Sequence, residues 1–149
     1  MLRTALLAIV AALALPVGQA RSEQASIFNQ TLGIAIGGYD VMTYYSGEAP
    51  LRGSAEHAVQ WKGVIWQFTT ASNRENFEAN PRAFAPQYGG YCAYAVSHGY
   101  LASGDPGAWE IRDGRLYLMH SPSIHTMWQR DHVGHIERAE ANWPSVLRD

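Results

Sequence analysis

The sequence predicts an α+β domain: a small antiparallel sheet built from hairpins, with short helices packed against it. Three observations carry this. Stretches that alternate apolar and polar residues flank the tight-turn dipeptides Lys62-Gly63 and Asp113-Gly114, the pattern of β-hairpins. Segments with helix-start and helix-stop chemistry lie after each hairpin. Each strand link reads as a hairpin, so nothing in the pattern asks for a parallel crossover.

In chain order, "MLRTALLAIVAALALPVGQA" comes first. Arg3 precedes an apolar run from Ala5 to Leu15, Pro16 breaks it, and Gly18 and Ala20 supply small residues for cleavage. The run is shorter than the roughly 20 apolar residues of a bilayer span, and its layout is that of a secretory signal peptide over residues 1–20. Residues 21–35 read as a polar arm of partly helical character leading into a domain over 36–147. "GGYDVMTYYSGEAPLRGSAEH" reads as an irregular cover with a short helix at Asp40–Tyr44, Asp40 serving as a turn or cap residue.

"AVQWKGVIWQF" is the first hairpin, with Val64, Trp66 and Phe68 on one face. A helix follows, with Ser72 as N-cap, Glu75 completing a capping box and Asn80-Pro81 as the stop; Phe77 and Phe84 are placed against the hairpin. "GGYCAYAVSHGY" reads as a second helix, starting near Gly90 and closed by Gly99. "LASGDPGA" is loop, and "WEIRDGRLYLMH" the second hairpin. Ser121-Pro122 opens a third helix running to about Arg130, and a last helix spans about His135 to Trp143 before Pro144.

Composition narrows function. A net charge of −2, without charge runs, gives no footprint for nucleic acid or an anionic membrane surface. No segment after Ala20 is apolar for long enough to span a membrane. A single cysteine, Cys92, excludes an internal disulfide framework. Five Trp and eight Tyr imply an aromatic-rich core and aromatic-lined grooves.

Several blocks together resemble one family. "VQWKGVIWQFTTASNRENFEANPRAFAP", with "GGYDVMTYY" before it and "FAPQYGGYCAYAV", "GDPGAWEIRDGRLYL" and "ANWP" after it, resembles the exported single-domain YHS proteins of bacteria over roughly residues 36–147. The resemblance implies a YHS-like α+β fold and metal handling, since YHS modules accompany copper and heavy-metal transporters that use paired cysteines. This chain departs from that pattern: Thr69 and Thr70 stand beside the hairpin's end, and no Cys precedes it.

The soft-ligand chemistry therefore rests on Cys92. A thiol at the start of a helix faces unpaired backbone N–H groups that stabilise a negative sulfur, and a thiolate is a soft ligand for Cu(I) or Zn²⁺. Gly89 and Gly90 permit close approach by a ligand or by another backbone segment. The remaining ligand candidates are His98, His120, His125, His132 and His135, with Met119 and Met127 interspersed. The C-terminal histidines reach Cys92 if the last helices fold back onto the Cys92 helix. Equally, free cysteine is among the most buried residue types, and Met127 and Trp128 read as core. Some of the tyrosines line a pocket beside Cys92 on this reading.

Catalysis is not favoured. A cysteine nucleophile needs a positioned base, His98 lies six residues away off the helix face, and a one-cysteine chain has no internal dithiol. The sequence thus points to an exported protein, periplasmic or secreted, that binds or senses copper or zinc through Cys92, with a periplasmic or membrane protein as possible further partner. The alternative is a non-metal interaction module in which Cys92 is core.

Overall fold

The computed structural model describes residues 24–148, so the leader expected over residues 1–20 lies outside the described residues. The described residues form six strands and five α-helices. They are β1 (Gln30–Thr31), β2 (Ile34–Ala35), β3 (Ser54–Trp61), β4 (Val64–Phe68), α1 (Ala71–Ala79), α2 (Pro81–Phe84), α3 (Ala93–Ser97), β5 (Asp105–Arg112), β6 (Arg115–Met119), α4 (Pro122–Gln129) and α5 (His132–Asn142). Short 3-10 segments lie at Ile36–Gly38, Val41–Ser46, Gln87–Gly90 and Ser145–Arg148. The α+β class holds. Among the described residues no helix is long and apolar enough to cross a membrane.

Both expected hairpins form. Trp61 faces Val64 across Lys62-Gly63, and Arg112 faces Arg115 across Asp113-Gly114. All four turn residues have positive φ (48°, 82°, 49° and 72°), the type I′ geometry whose twist matches that of paired strands. β3 begins at Ser54, earlier than the alternation suggests, through an irregularity between Ser54 and Ala58. A third hairpin joins β1 to β2 through Leu32-Gly33. Leucine carries no turn preference, and this link escapes the sequence pattern.

Two expectations are corrected here. Over its described residues, 24–35, the arm is not helical and does not stand apart: β2 pairs with β4 through Ile34 and Ile65 in parallel, giving a sheet ordered β1-β2-β4-β3. Its Phe28 is buried against Trp61 and Trp66. The crossover between β2 and β4 passes through the 3-10 segments and β3, so not every strand link is a hairpin. Second, α1 is capped by Thr70, whose side chain accepts the Asn73 N–H at 3.1 Å, and not by Ser72.

Other helix ends follow local chemistry. Ser121 caps α4 by accepting from Ile124 N, with Pro122 at the first helical position. α5 starts three residues earlier than expected, because Asp131 caps it by accepting from Gly134 N. α3 closes on Gly99 (φ 81°): Gly99 N–H donates to Val96 O and Tyr100 N–H to Ala95 O, the paired bonds of a Schellman end.

The core has two lobes with β6 as their common wall. Leu116 and Leu118 face the first lobe with Trp66, Phe68 and Phe77, while Tyr117 and Met119 face the second with Cys92, Val96 and Trp128. All four β6 residues are buried, as expected of a strand covered on both faces. Phe77 packs edge-on to Trp61 at 5.7 Å and lies 4.9 Å from Trp66 between ring centroids. Met127 is not core: its side chain is exposed, whereas its neighbour Trp128 is fully buried.

Candidate functional site

Cys92 sits at the N-cap of α3 rather than in its first turn, and its Sγ accepts the Ala95 N–H at 3.5 Å. Its backbone is fixed from two sides. Cys92 N–H donates to Ala102 O at 2.8 Å, and the residue makes a parallel bridge to Leu118 of β6. It is 1 % exposed. The close approach allowed by Gly89 is taken by the arm itself: Asn29 N–H donates to Gly89 O at 2.8 Å.

Cys92 bridges Leu118 of β6, and His120 follows Leu118 by two residues, just beyond the end of β6. Cys92, Tyr94, Tyr100, Ala102, His120 and Ile124 all line one pocket of about 250 Å³. Its polar lining beyond the sulfur is the imidazole and two phenols. Tyr100 is its exposed wall, at 53 %.

His120 has a defined tautomer. Its Nδ1 lies 2.9 Å from Ser103 O, a group that only accepts, so Nδ1 carries the proton. The Nε2 lone pair is then the basic, ligating atom of the ring. Ser103 was not legible as a partner from the sequence, because the contact joins two loops 17 residues apart.

The other candidates lie elsewhere. α5 does fold back onto α3, but it brings His135 to Ser97, Tyr94 and His98 rather than to Cys92. His135 Nδ1 lies 3.0 Å from Ser97 Oγ and accepts from Arg138 Nη2 at 2.9 Å. Its ring lies 4.8 Å from Tyr94 and 5.5 Å from His98, and stacks on Trp128 at 15°. Burial, then the positive charges of Arg138 and His98, hold the His135 imidazole below its ordinary pKa of 6.5. His98 is the C-cap of α3, and its Nδ1 donates to Tyr94 O at 2.8 Å.

His125 is engaged by Glu110, with Nε2 to Oε2 at 3.0 Å. The other Glu110 oxygen accepts Arg112 Nε at 2.7 Å. Burial pushes the Glu110 carboxyl up, but the hydrogen bonds from His125 and Arg112 outweigh it and keep it below the usual range. His132 opens α5, partly exposed. Among the described residues no three His, Cys, Asp or Glu side chains gather as a group able to hold a metal ion.

The donor set at Cys92 can be tested against metal chemistry. Structural zinc takes four ligands, nearly always in a tetrahedron, and a thiolate with one imidazole leaves that shell half empty. Cu(I) is softer, prefers thiolate and accepts two-coordinate binding. A thiolate and one imidazole are donors suited to soft Cu(I) and would supply two of the four ligands that structural zinc takes. No family model, no curated protein and no solved structure matches the chain.

Proposed function

We propose that this chain is an exported, periplasmic or secreted protein that binds Cu(I), with the Cys92 thiolate and His120 Nε2 as its two protein ligands. The observation that carries the reading is that these two line a common pocket, with the His120 tautomer set by Ser103 O. The resemblance to YHS proteins, with their association with copper transporters, points the same way. A protein that takes up or hands on the ion is the partner this reading implies. Tyr94, Ile124 and Ala102 supply a largely apolar surround that disfavours water at the sulfur.

The test is anaerobic titration with Cu(I) against a competing chelator, for the unsubstituted chain, Cys92→Ala and His120→Gln. The expected result is affinity lowered at least about tenfold in each variant, about 1.4 kcal/mol. Binding that survives both substitutions ends the proposal.

A second reading has its own support. Cys92 is 1 % exposed and its sulfur already accepts a backbone N–H, as suits a core residue in a non-metal interaction module. Under this reading the thiol alkylates only after unfolding, and Cu(I) does not protect it. Under the copper reading it alkylates in the native state, and Cu(I) slows the reaction.

A further inference from the structure

A second cavity, of about 210 Å³, opens where the arm, the turn of the first hairpin and the segment after α2 meet Trp143. It shares no lining residue with the Cys92 pocket. Trp61, Tyr88 and Trp143 give it three aromatic walls, and Lys62 and Arg82 bring two exposed cations to it. Among the described residues neither cation has a carboxylate within ion-pair distance.

The cations are not incidental to the turn and helix that carry them. Lys62 Nζ lies 5.1 Å over the centroid of the Trp61 ring, a cation–π contact that holds the ammonium against the aromatic wall. Lys62 also has φ 48° and Tyr88 φ 52°, the left-handed region that penalises side chains with a β-carbon. The first position of a type I′ turn prefers Asn, Asp or Gly. Lysine adds nothing to the turn itself, but it does add a cation to this cavity. Strained positions that a fold retains tend to mark ligand sites.

We propose that this cavity binds a small aromatic carboxylate. Trp61 and Trp143 receive the ring, whose edge and face match aromatic walls, with Tyr88 buried behind them. The Arg82 guanidinium, a fork suited to carboxylate oxygens, and the Lys62 ammonium receive the charge. The volume limits the ligand to a single ring, being below the several hundred Å³ of sites for larger molecules. Because both cations are exposed, binding weakens as salt rises. The site is independent of the Cu(I) reading.

The experiment titrates the full chain with benzoate, its uncharged isostere benzamide, and acetate as the ringless anion. The readouts are calorimetry and the indole N–H resonances of Trp61 and Trp143. Benzoate is expected to shift both resonances, and to bind about tenfold more tightly than benzamide or acetate. Arg82→Gln and Lys62→Asn are each expected to weaken benzoate about threefold to fivefold. Asparagine suits the left-handed turn position, so Lys62→Asn should keep or raise the melting temperature, which separates lost binding from lost folding. The proposal is overturned if benzamide or acetate matches benzoate, if the Lys62 and Arg82 variants bind unchanged, or if millimolar benzoate moves neither indole.

Discussion

One carboxylate oxygen of Asp40 takes both hydrogens that Thr69 offers. Oδ2 accepts the Thr69 backbone N–H and its hydroxyl, each at 2.8 Å. The same oxygen accepts Asn73 Nδ2 at 2.7 Å, and Oδ1 accepts Met42 N–H at 2.9 Å. Asp40 is fully buried and no cation pairs with it among the described residues, so neutral donors alone compensate its charge. The result joins the end of β4 to the Val41–Ser46 segment. It also turns the chain at Thr69, which is why α1 takes Thr70 as its cap.

Removing that carboxylate leaves four partly buried donors without their acceptor. Asp40→Ala is expected to cost about 3–5 kcal/mol, and Asp40→Asn, which keeps one acceptor, about half as much. Urea unfolding of the two variants measures this. A loss under about 1 kcal/mol for Asp40→Ala would show that the network is replaceable by water.

Gly89 (φ 62°) is where the arm meets the body of the domain. A Cβ there would lie 1.9 Å from Ile27 O, a backbone atom that has no rotamer with which to escape. Gly89→Ala is therefore expected to destabilise by about 3 kcal/mol or more, through strain and overpacking together. The arm should leave its seat first, exposing residues 24–29 to limited proteolysis. Unchanged cleavage and an unchanged melting temperature would refute the assignment.

His135 makes stability pH-dependent. Arg138 only donates, so the Nδ1 it bonds carries no proton, and the groups facing that imidazole are Ser97, His98, Arg138 and Asp131. Burial, then Arg138 and His98, lower its pKa, with Asp131 opposing. The unfolded chain then binds the proton more readily than the folded one. The stabilisation is complete above about pH 6.5 and is lost as pH falls below it. Between pH 7.5 and 5.5 the unsubstituted chain should lose more stability than His135→Asn. Parallel stability profiles for the two would contradict the mechanism.

Tyr44 joins the first lobe to β5. Its ring is fully buried and lies edge-on to Trp109 at 5.3 Å, and its hydroxyl donates to Pro106 O at 2.9 Å. Burial, with the charges of Tyr39 and Asp105, raises the phenol above its ordinary range. Tyr44→Phe should cost about 1 kcal/mol for the lost hydrogen bond. Tyr44→Ala should cost about 3–5 kcal/mol for the cavity. Thermal melts of the pair measure the difference, and equal losses would show that the hydroxyl alone matters.

The legible parts of the fold are those whose chemistry is local. Lys62-Gly63 and Asp113-Gly114 fix their hairpins within four residues, and Ser121-Pro122 starts α4 within three. Leu32-Gly33 forms the same turn with no such marker, because pairing of β2 with β4 imposes it. Thr70 replaced Ser72 as a cap because Asp40, 29 residues upstream of Thr69, sets where the turn falls. Met127 and Trp128 look alike in hydropathy, and only the facing of α4 on β6 tells the buried one from the exposed one.

For the candidate site, residue chemistry alone singled out Cys92 and five histidines as soft-ligand material, and placed tyrosines beside the thiol. Which histidine stands by the sulfur could not be read from that chemistry, since His98 and His135 are as suitable as His120. In the fold, His120 is the one of these three that lines the Cys92 pocket. The sequence by itself determined the α+β class, the two marked hairpins and the inventory of reactive groups, because turn, cap and ligand preferences are properties of a few adjacent residues. Tertiary structure decided the burial of Cys92, the pocket it lines with His120, the seating of the arm on Gly89 and the cavity that Lys62 and Arg82 both line. Each of these joins segments far apart in the chain, and their contact becomes favourable only when the whole core closes at once.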